Sequence, residues 1–404
     1  MSLRGIIINE GKIGLDTTGD GREFGLVANG MAITGKAQLH TAYKLRRPSD
    51  AVALGIDAAY DTTNDVRLFR HISEFYRRAG EGKILWLILS PQTSKPADMV
   101  SDAKILAIAS GKISDMAFAY NPPSGYTDVL VDGINGDIKL GIDALQLFAQ
   151  WADEQDMPLH TILEGRSISA TLSACTDLRG MTAPKVSLVV GQDWDYAETL
   201  STMGKKFADV GTFLGVIASQ AWNRNPGEVA TQKLTSDVPA VWITGGLSNH
   251  QKYNEVFSSL ETLNDKGYIF PIRYQGLSGY WWNDGHVCAP ITVDADGNMN
   301  QHTIYYSHTM DMAKRALRIA FLPELKRPVE LVNGKLDQTS VDYYNAIGDM
   351  AFMRLAGSDL ISDGKTYADK ESDLLIDKTL KIQFSVIPTG CVNTIEGTIN
   401  LKNQ

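Results

Sequence analysis

Cysteine is scarce: Cys175, Cys288 and Cys391 are the only three in 404 residues. They are odd in number, far apart and without a C-x-x-C pair, which excludes a disulfide framework and a thiolate zinc knuckle and points to a reducing compartment. Basic charge is short as well, with 38 Lys and Arg against 47 Asp and Glu, a net charge of -9. The one local cluster of note is Lys44, Arg46 and Arg47. Displacing counterions from nucleic-acid phosphates needs a basic stripe, so nucleic-acid binding is excluded as a main activity. Long apolar runs are missing too. Ile6, Ile7 and Ile8 are followed at once by Asn9 and Glu10, too short for a signal-peptide core, and nothing elsewhere approaches the roughly 20 residues of a membrane span. The expected setting is a cytoplasm, with no membrane insertion.

Complete catalytic motifs are absent in the same way. Gly19, Gly21 and Gly25 miss the dinucleotide fingerprint by one position, and no buried strand precedes them. Gly364-Lys365-Thr366 has its partner glycine, Gly357, two residues too far upstream for a phosphate loop, and it follows a helix where the motif requires a strand. No G-x-S-x-G occurs. Asp294, Asp296 and Asn298 lack the glycine and glutamate spacing of a calcium loop, so D-A-D-G-N reads as a hairpin turn. One constellation could do chemistry: Asp284 and His286 in GLSGYWWNDGH, followed by His302, His308 and Asp311. Histidines and carboxylates beside aromatic residues can bind a metal or move protons. An N-D-G before an apolar strand is equally an ordinary turn, and the six-residue step from His302 to His308 is no ligand spacing on either a strand or a helix.

What is present is a chain with 44% hydrophobic residues, long enough for two or three domains with real cores. The continuous apolar run at 84–89 (ILWLIL) predicts a strand covered on both faces. Further strands are expected at 116–119, 128–131, 159–163 and 186–190. Ile138, Ile142, Leu145, Phe148 and Ala152 recur at three- and four-residue steps, the face of a helix. A mostly helical stretch is expected at 199–219. Strands alternating with helices predict an α/β domain with a largely parallel sheet over 24–240. Beyond Pro239 an α+β domain is expected over 241–390. It has a strand at 241–244, a helix at 249–266 burying Tyr253, Val256, Phe257, Leu260 and Leu263, and strands at 268–274, 291–293 and 299–306. Helices follow at 309–320 and 340–356, the latter capped by Ser340 and Gly357.

The ends are the most patterned pieces. Leu380, Ile382, Phe384 and Val386 alternate with polar residues, the signature of a strand with one buried face. After Pro388-Thr389-Gly390 the alternation resumes with Ile395, Ile399 and Leu401, Gly397 in line with them, and Thr394 and Thr398 on the other side. A strand needs partners for its backbone groups, since leaving one buried and unpaired costs on the order of 1 to 3 kcal/mol. Either a hairpin closes the protein's own sheet, or an arm adds a strand to a neighbouring subunit. Ile6, Ile7 and Ile8, joined to the body by a Gly- and Asp-rich linker, form a second short extended piece. The chain thus divides into an arm and linker at 1–23, the two domains, and a terminal arm at 391–404.

At 210–225 the sequence VGTFLGVIASQAWNRN, with Gly211 and Gly215 in G-x-x-x-G spacing, resembles a segment of the contractile tail sheath proteins of bacteriophages. GYWWNDGHVCAP resembles that family's Tyr/Trp-Asn-Asp segment. The order that follows, a helix with Arg315 and Arg318, a Pro-containing link, a helix and a terminal strand pair ending in IPTGCVNTIEGTINL, resembles its C-terminal domain and arm. The resemblance covers 205–404 best and 1–204 more weakly, and the chain lacks the outer decoration domains of larger sheath proteins. It implies a structural subunit without catalytic site or cofactor, forming stacked six-membered rings around an inner tube. Ile6, Ile7, Ile8, Thr394, Ile395, Gly397, Thr398, Ile399 and Leu401 would be exchanged between subunits. Baseplate and tail terminator proteins would be partners, and the setting a virion tail or related particle assembled in a host cytoplasm. With that order of segments, 380–387 is assigned to the subunit's own sheet and 393–401 to the part that leaves it. The rival reading is a soluble α/β metal-assisted enzyme using Asp284, His286 and His302.

Overall fold

The computed structural model describes residues 21–402, so Ile6, Ile7 and Ile8 lie outside the described residues. The central strand, β1 (Glu23–Gly30), is buried along its whole length. It is not among the strands expected from the sequence, because glycines at 25 and 30 interrupt its apolar residues. Those glycines serve packing: a Cβ at Gly25 would stand 3.0 Å from the Met116 side chain. A short strand, β2 (Tyr43–Leu45), is followed by β3 (Leu85–Pro91), β4 (Ile113–Ala119), β5 (His160–Glu164) and β6 (Val186–Val189). They form a six-stranded sheet in the order β2-β3-β1-β4-β5-β6, parallel except for β2 at one edge. The expected strand at 128–131 is instead a two-residue hairpin arm, Leu130–Val131, exposed at the surface.

Among its parallel members the order is second-first-third-fourth-fifth, a doubly wound arrangement with helices on both faces. Helix α1 (Leu68–Ala79), from the β2–β3 connection, lies on one face. Helices α2 (Val100–Ser110) and α3 (Gly136–Glu154) pack together on the other. In α3 the buried positions include Ile138, Ile142, Leu145, Phe148 and Ala152, the predicted face. Helix α4 (Val210–Ser219) joins α1, and both glycines of its G-x-x-x-G spacing face that neighbour. A Cβ at Gly215 would stand 2.7 Å from the Phe75 carbonyl oxygen, and one at Gly211 would overlap the His71 backbone. The missing side chains let the two backbones approach within one chain. The expected helix at 199–219 shrinks to these ten residues, preceded by a single 3-10 turn and capped by Asp209, whose carboxylate accepts from the Thr212 N–H.

A buried charge network locks this contact. Arg70 on α1 donates to Asp193 at 3.0 Å and to Asp209 at 2.9 Å. Burial alone would raise the Asp209 carboxyl, but the Arg70 guanidinium and the neighbouring His71 together outweigh it and hold the group well below the usual carboxylate range.

The main apolar cluster runs from Phe24 to Tyr305, crossing position 240 in the sequence. Fully burying each Leu, Ile or Phe in it contributes about 1.5 to 3 kcal/mol. The expected helix at 249–266 is broken into Tyr253–Val256, a 3-10 turn and Leu260–Asp265. Tyr253, Val256, Leu260 and Leu263 are buried as predicted, whereas Phe257, placed on that face, is exposed where the helix tightens. The strand at 268–274 reduces to Pro271–Ile272, paired with Trp281–Trp282. The strand expected at 299–306 survives only as bridges at Met299 and Thr303, because Thr303 caps a helix that starts at once.

That helix, α5 (Ile304–Phe321), ties the C-terminal part to the end of the sheet where β4 and β5 begin. His308 Nε2 meets Asp115 at 2.5 Å, Arg315 donates to the carbonyls of Ile113 (3.0 Å) and Pro158 (2.6 Å), and Lys185 pairs with Asp311. Helix α6 (Gln338–Ala356) packs on α5 and is capped by Asp337, not Ser340: the Asp337 carboxylate accepts from the Ser340 N–H at 2.9 Å. Against α6 lies an antiparallel pair, β7 (Ile361–Ala368) and β8 (Ile382–Pro388). Two small apolar clusters hold this region, one around Met312, Phe352 and Ile361, the other around Leu336, Val341 and Tyr344.

Candidate functional site

In an open doubly wound sheet the usual ligand crevice lies beyond the carboxyl ends of the strands where the order reverses, here β1 and β4. That crevice is filled by the protein's own side chains. Asn29 donates to the carbonyls of Pro91 (2.7 Å) and Ser94 (2.9 Å) and accepts from the Asn121 N–H, while Arg67 donates from Nε to Asn121 Oδ1 at 3.1 Å. All three are at most 1% exposed.

The chemical candidates of the sequence are dispersed among structural bonds. His286 Nδ1 accepts from Arg179 at 2.6 Å and its Nε2 faces Asn264 Oδ1 at 3.0 Å, so both ring nitrogens are engaged. Burial pushes its imidazole down to about 4, with Asp284 opposing and Arg179 adding to the shift. His302 meets the Asn300 carbonyl at 3.0 Å. His308 and Asp311 sit in the α5 seam described above. Among the described residues no group of three His, Cys, Asp or Glu side chains is placed to hold a metal. Asp294 takes the N–H groups of Asp296 and Asn298, closing a hairpin turn bridged by Val293 and Met299. Lys365 and Thr366 lie on β7, where Asp349 accepts from the Lys365 ammonium (3.2 Å) and the Thr366 N–H (2.8 Å).

Asp284 instead belongs to the exit of the C-terminal segment. Its Oδ1 accepts from Asn225 Nδ2 at 2.7 Å and from the Gly285 N–H at 2.6 Å, and its Oδ2 accepts from Asn393 Nδ2 at 3.0 Å. Asn223 adds a second attachment, donating to the Asp359 carbonyl (2.8 Å) and Thr389 Oγ1 (2.9 Å). Asn223 and Asn225 close the segment after α4. The sequence marks that segment only as an Asn-rich turn and gives no sign that these two side chains hold the tail. Beneath the tail lies a cleft of about 1070 Å³, whose lining includes Tyr253, Phe270 and Tyr274.

Past this attachment, residues 394–402 form no helix or strand and make no hydrogen bond among the described residues. Ile395, Ile399 and Leu401 are 88% or more exposed. The strand pair nearby is equally incomplete. With two members, each of β7 and β8 has one edge unpaired among the described residues, and Tyr367, Phe384 and Ile387 remain exposed. Phe384 touches the rings of Phe321 and Phe352 at centroid distances of 5.8 and 6.3 Å. Pairing across the strands is in register from Ala368↔Ile382 to Asp363↔Ile387, with an irregularity at Ile361. Of the two readings of the ending, the hairpin between 380–387 and the final segment does not form among the described residues; 380–387 pairs upstream instead, with a strand the sequence does not reveal.

No helix among the described residues is long and apolar enough to cross a membrane. No protein of curated function matches the sequence. Solved structures do resemble the fold. A chain of the contracted helical sheath of the anti-feeding prophage superposes with a TM-score of 0.59 at 14% identity, covering 99% of each chain. A chain of that prophage's baseplate gives 0.62 at 13% identity, covering 100% of this chain and 99% of the other. The sheath tail protein of Desulfitobacterium hafniense gives 0.51 at 11% identity over 95% of this chain and 100% of its own. The chain therefore has the tail sheath fold, an α/β unit with a parallel-rich sheet followed by an α+β region. The family model described as DUF2586, N-terminal domain, matches residues 5–286, well over half of the sequence, and the chain belongs to that family.

Proposed function

We propose that this protein is a structural subunit of a contractile tail sheath, polymerising as stacked hexameric rings around an inner tube and contracting to drive the tube through a cell envelope. The observation that carries the reading is the unfinished strand chemistry at the C-terminus. A two-stranded sheet with open edges stands beside an unpaired tail whose Ile395, Ile399 and Leu401 face solvent. A second copy can satisfy both at once, and a head-to-tail interface of this kind builds rings or open helical polymers. Thr394, Ile395, Gly397, Thr398, Ile399 and Leu401 form the donated strand in this reading, and Ile6, Ile7 and Ile8 the second arm. Each backbone hydrogen bond of an exchanged strand contributes about 1 kcal/mol net. Several together keep subunits linked while the subunits slide and rotate against one another.

The fold likeness supports this reading, since the relatives with that fold include a contracted helical sheath and a baseplate chain. Partners would be further copies of the chain, an inner tube protein, and baseplate and tail terminator proteins, in a phage tail or related particle assembled in a host cytoplasm. No catalysis and no cofactor are assigned. Electron microscopy at rising protein concentration tests the proposal: rings or striated tubes are expected, and a monodisperse particle at every concentration would sink it. Deleting residues 394–404 should leave a folded subunit that no longer polymerises. Unfolding of that truncated chain would place the segment in the subunit's own core.

A further inference from the structure

We infer that Asp284 is a clasp that fixes where the C-terminal tail leaves the body and so aims it for capture by a second copy, an inference that rests on the sheath reading. Asp284 is buried, on the turn after Trp281–Trp282, and its two oxygens serve two different segments. Oδ1 holds Asn225, from the link after α4, together with the Gly285 N–H. Oδ2 holds Asn393, from the tail. The body-side half is rigid: Asn225 also caps its own turn, with Oδ1 accepting from the Gly227 N–H at 2.8 Å, and a Cβ at Gly227 would stand 2.6 Å from the Trp282 carbonyl oxygen. Neighbouring Asn283 bonds Asn264, Tyr268 and Phe270, so the backbone presenting Asp284 is fixed from both sides. The tail-side half is the Asn393 amide on an exposed segment, with a weaker contact beside it where Asn225 Nδ2 also donates to Cys391 Sγ at 3.5 Å.

That amide stands at the boundary between the held and the unpaired tail. Upstream, Asn223 fixes Thr389 at the Pro388-Thr389-Gly390 break. Downstream, residues 394–402 have no hydrogen bond among the described residues. The geometry gives a fixed anchor, a last bond to a carboxylate that can be broken, and a free strand beyond it. Confining the start of a flexible segment reduces the conformational freedom lost when it docks.

The test uses the full chain at neutral pH. Asn393→Asp places a second carboxylate against Asp284 without altering the body. The double variant Asn393→Asp with Asp284→Asn reverses the pair: the amide introduced at position 284 can keep Asn225 and Gly285 through its oxygen, while its nitrogen donates to the carboxylate introduced at position 393. Backbone order parameters at residues 391–393 of the unassembled subunit should fall in the single variant from the rigid range, about 0.85, toward the flexible range below about 0.6, with β1 and β4 unchanged. The single variant should also assemble more slowly than wild type, and the double variant should recover both properties. Unchanged order parameters or unchanged assembly in Asn393→Asp, or a double variant no better than the single, overturns the clasp. The truncation at 394 judges strand donation separately. If the wild-type chain fails to assemble, the sheath reading falls, and the order parameters at 391–393 with their rescue still decide whether the clasp exists.

Discussion

The body, residues 24–305, and the C-terminal region around α5, α6 and the β7/β8 pair are built on opposite terms. In the body one apolar cluster runs without interruption, β1 is covered along its length, and Arg70 is paired inside with Asp193 and Asp209. In the C-terminal region two small clusters share the task, and on β8 only Ile382, Val386 and Pro388 are even half-buried. A region that leaves strand edges and large apolar side chains in water is either poorly stable by itself or completed by something else. The contrast teaches that the stability of the single chain resides mainly in the body, whereas the C-terminal region leaves strand edges and apolar side chains uncovered.

The strongest way to break the comparison is to damage the body. Asp209→Ala removes the main partner of Arg70 and leaves a guanidinium buried with Asp193 alone and Glu74 at 3.9 Å. Breaking a buried pair from one side costs about 3 to 5 kcal/mol. Denaturant unfolding followed by far-ultraviolet circular dichroism should show one midpoint falling for the whole chain, body and C-terminal region together. A loss below about 1 kcal/mol would mean the network is not what holds α1 to α4.

A smaller effect sharpens the boundary between the regions through pH. Burial depresses the His286 imidazole to about 4. Its contribution is therefore fully present above the unfolded value near 6.5 and is lost as pH falls through about 4, because the unfolded state takes up the proton first. The span corresponds to at most about 3 kcal/mol. His286→Gln keeps a hydrogen-bonding side chain without titration, and its stability should fall less between pH 6.5 and 4 than wild type. Parallel curves would show that His286 does not set the acid limit.

What the sequence disclosed follows the same divide. Continuous runs such as 84–89 and periodic faces such as Ile138 to Ala152 were legible because burial on two faces, or on one helical face, writes itself into residue spacing. The central strand β1 was not, since its two glycines are chosen for what Met116, Leu89 and Tyr60 need, not for propensity. Strand β7 was illegible for a related reason. Its sequence ISDGKTYA buries only Ile361 and Thr366, and Gly364 leaves room for the Phe352 ring while Thr366 fills the space at Gly348. In the candidate site, Asp284 stands out in the sequence as a possible ligand, but its role depends on Asn225 and Asn393, brought to it from distant segments. No local pattern encodes that meeting.

The smallest effect is the most discriminating. Phe384→Ala strips β8 of its ring contacts with Phe321 and Phe352, yet the side chain is already 41% exposed. A fully buried Phe→Ala change costs about 3 to 5 kcal/mol, so with part of the ring already in water the isolated subunit should lose about 1 kcal/mol. The loss should appear as local opening: faster amide exchange along β7 and β8, with β1 and β4 unchanged. If a second copy adds a strand beside this pair, the same ring is covered on assembly, and the variant should weaken polymerisation by more than it weakens the subunit. Equal losses in both, or a fall in the global unfolding midpoint comparable to that of Asp209→Ala, would show that the C-terminal region is an ordinary extension of the core. A larger loss in the polymer would mean that the apolar surface left open in one chain is stabilised by the next.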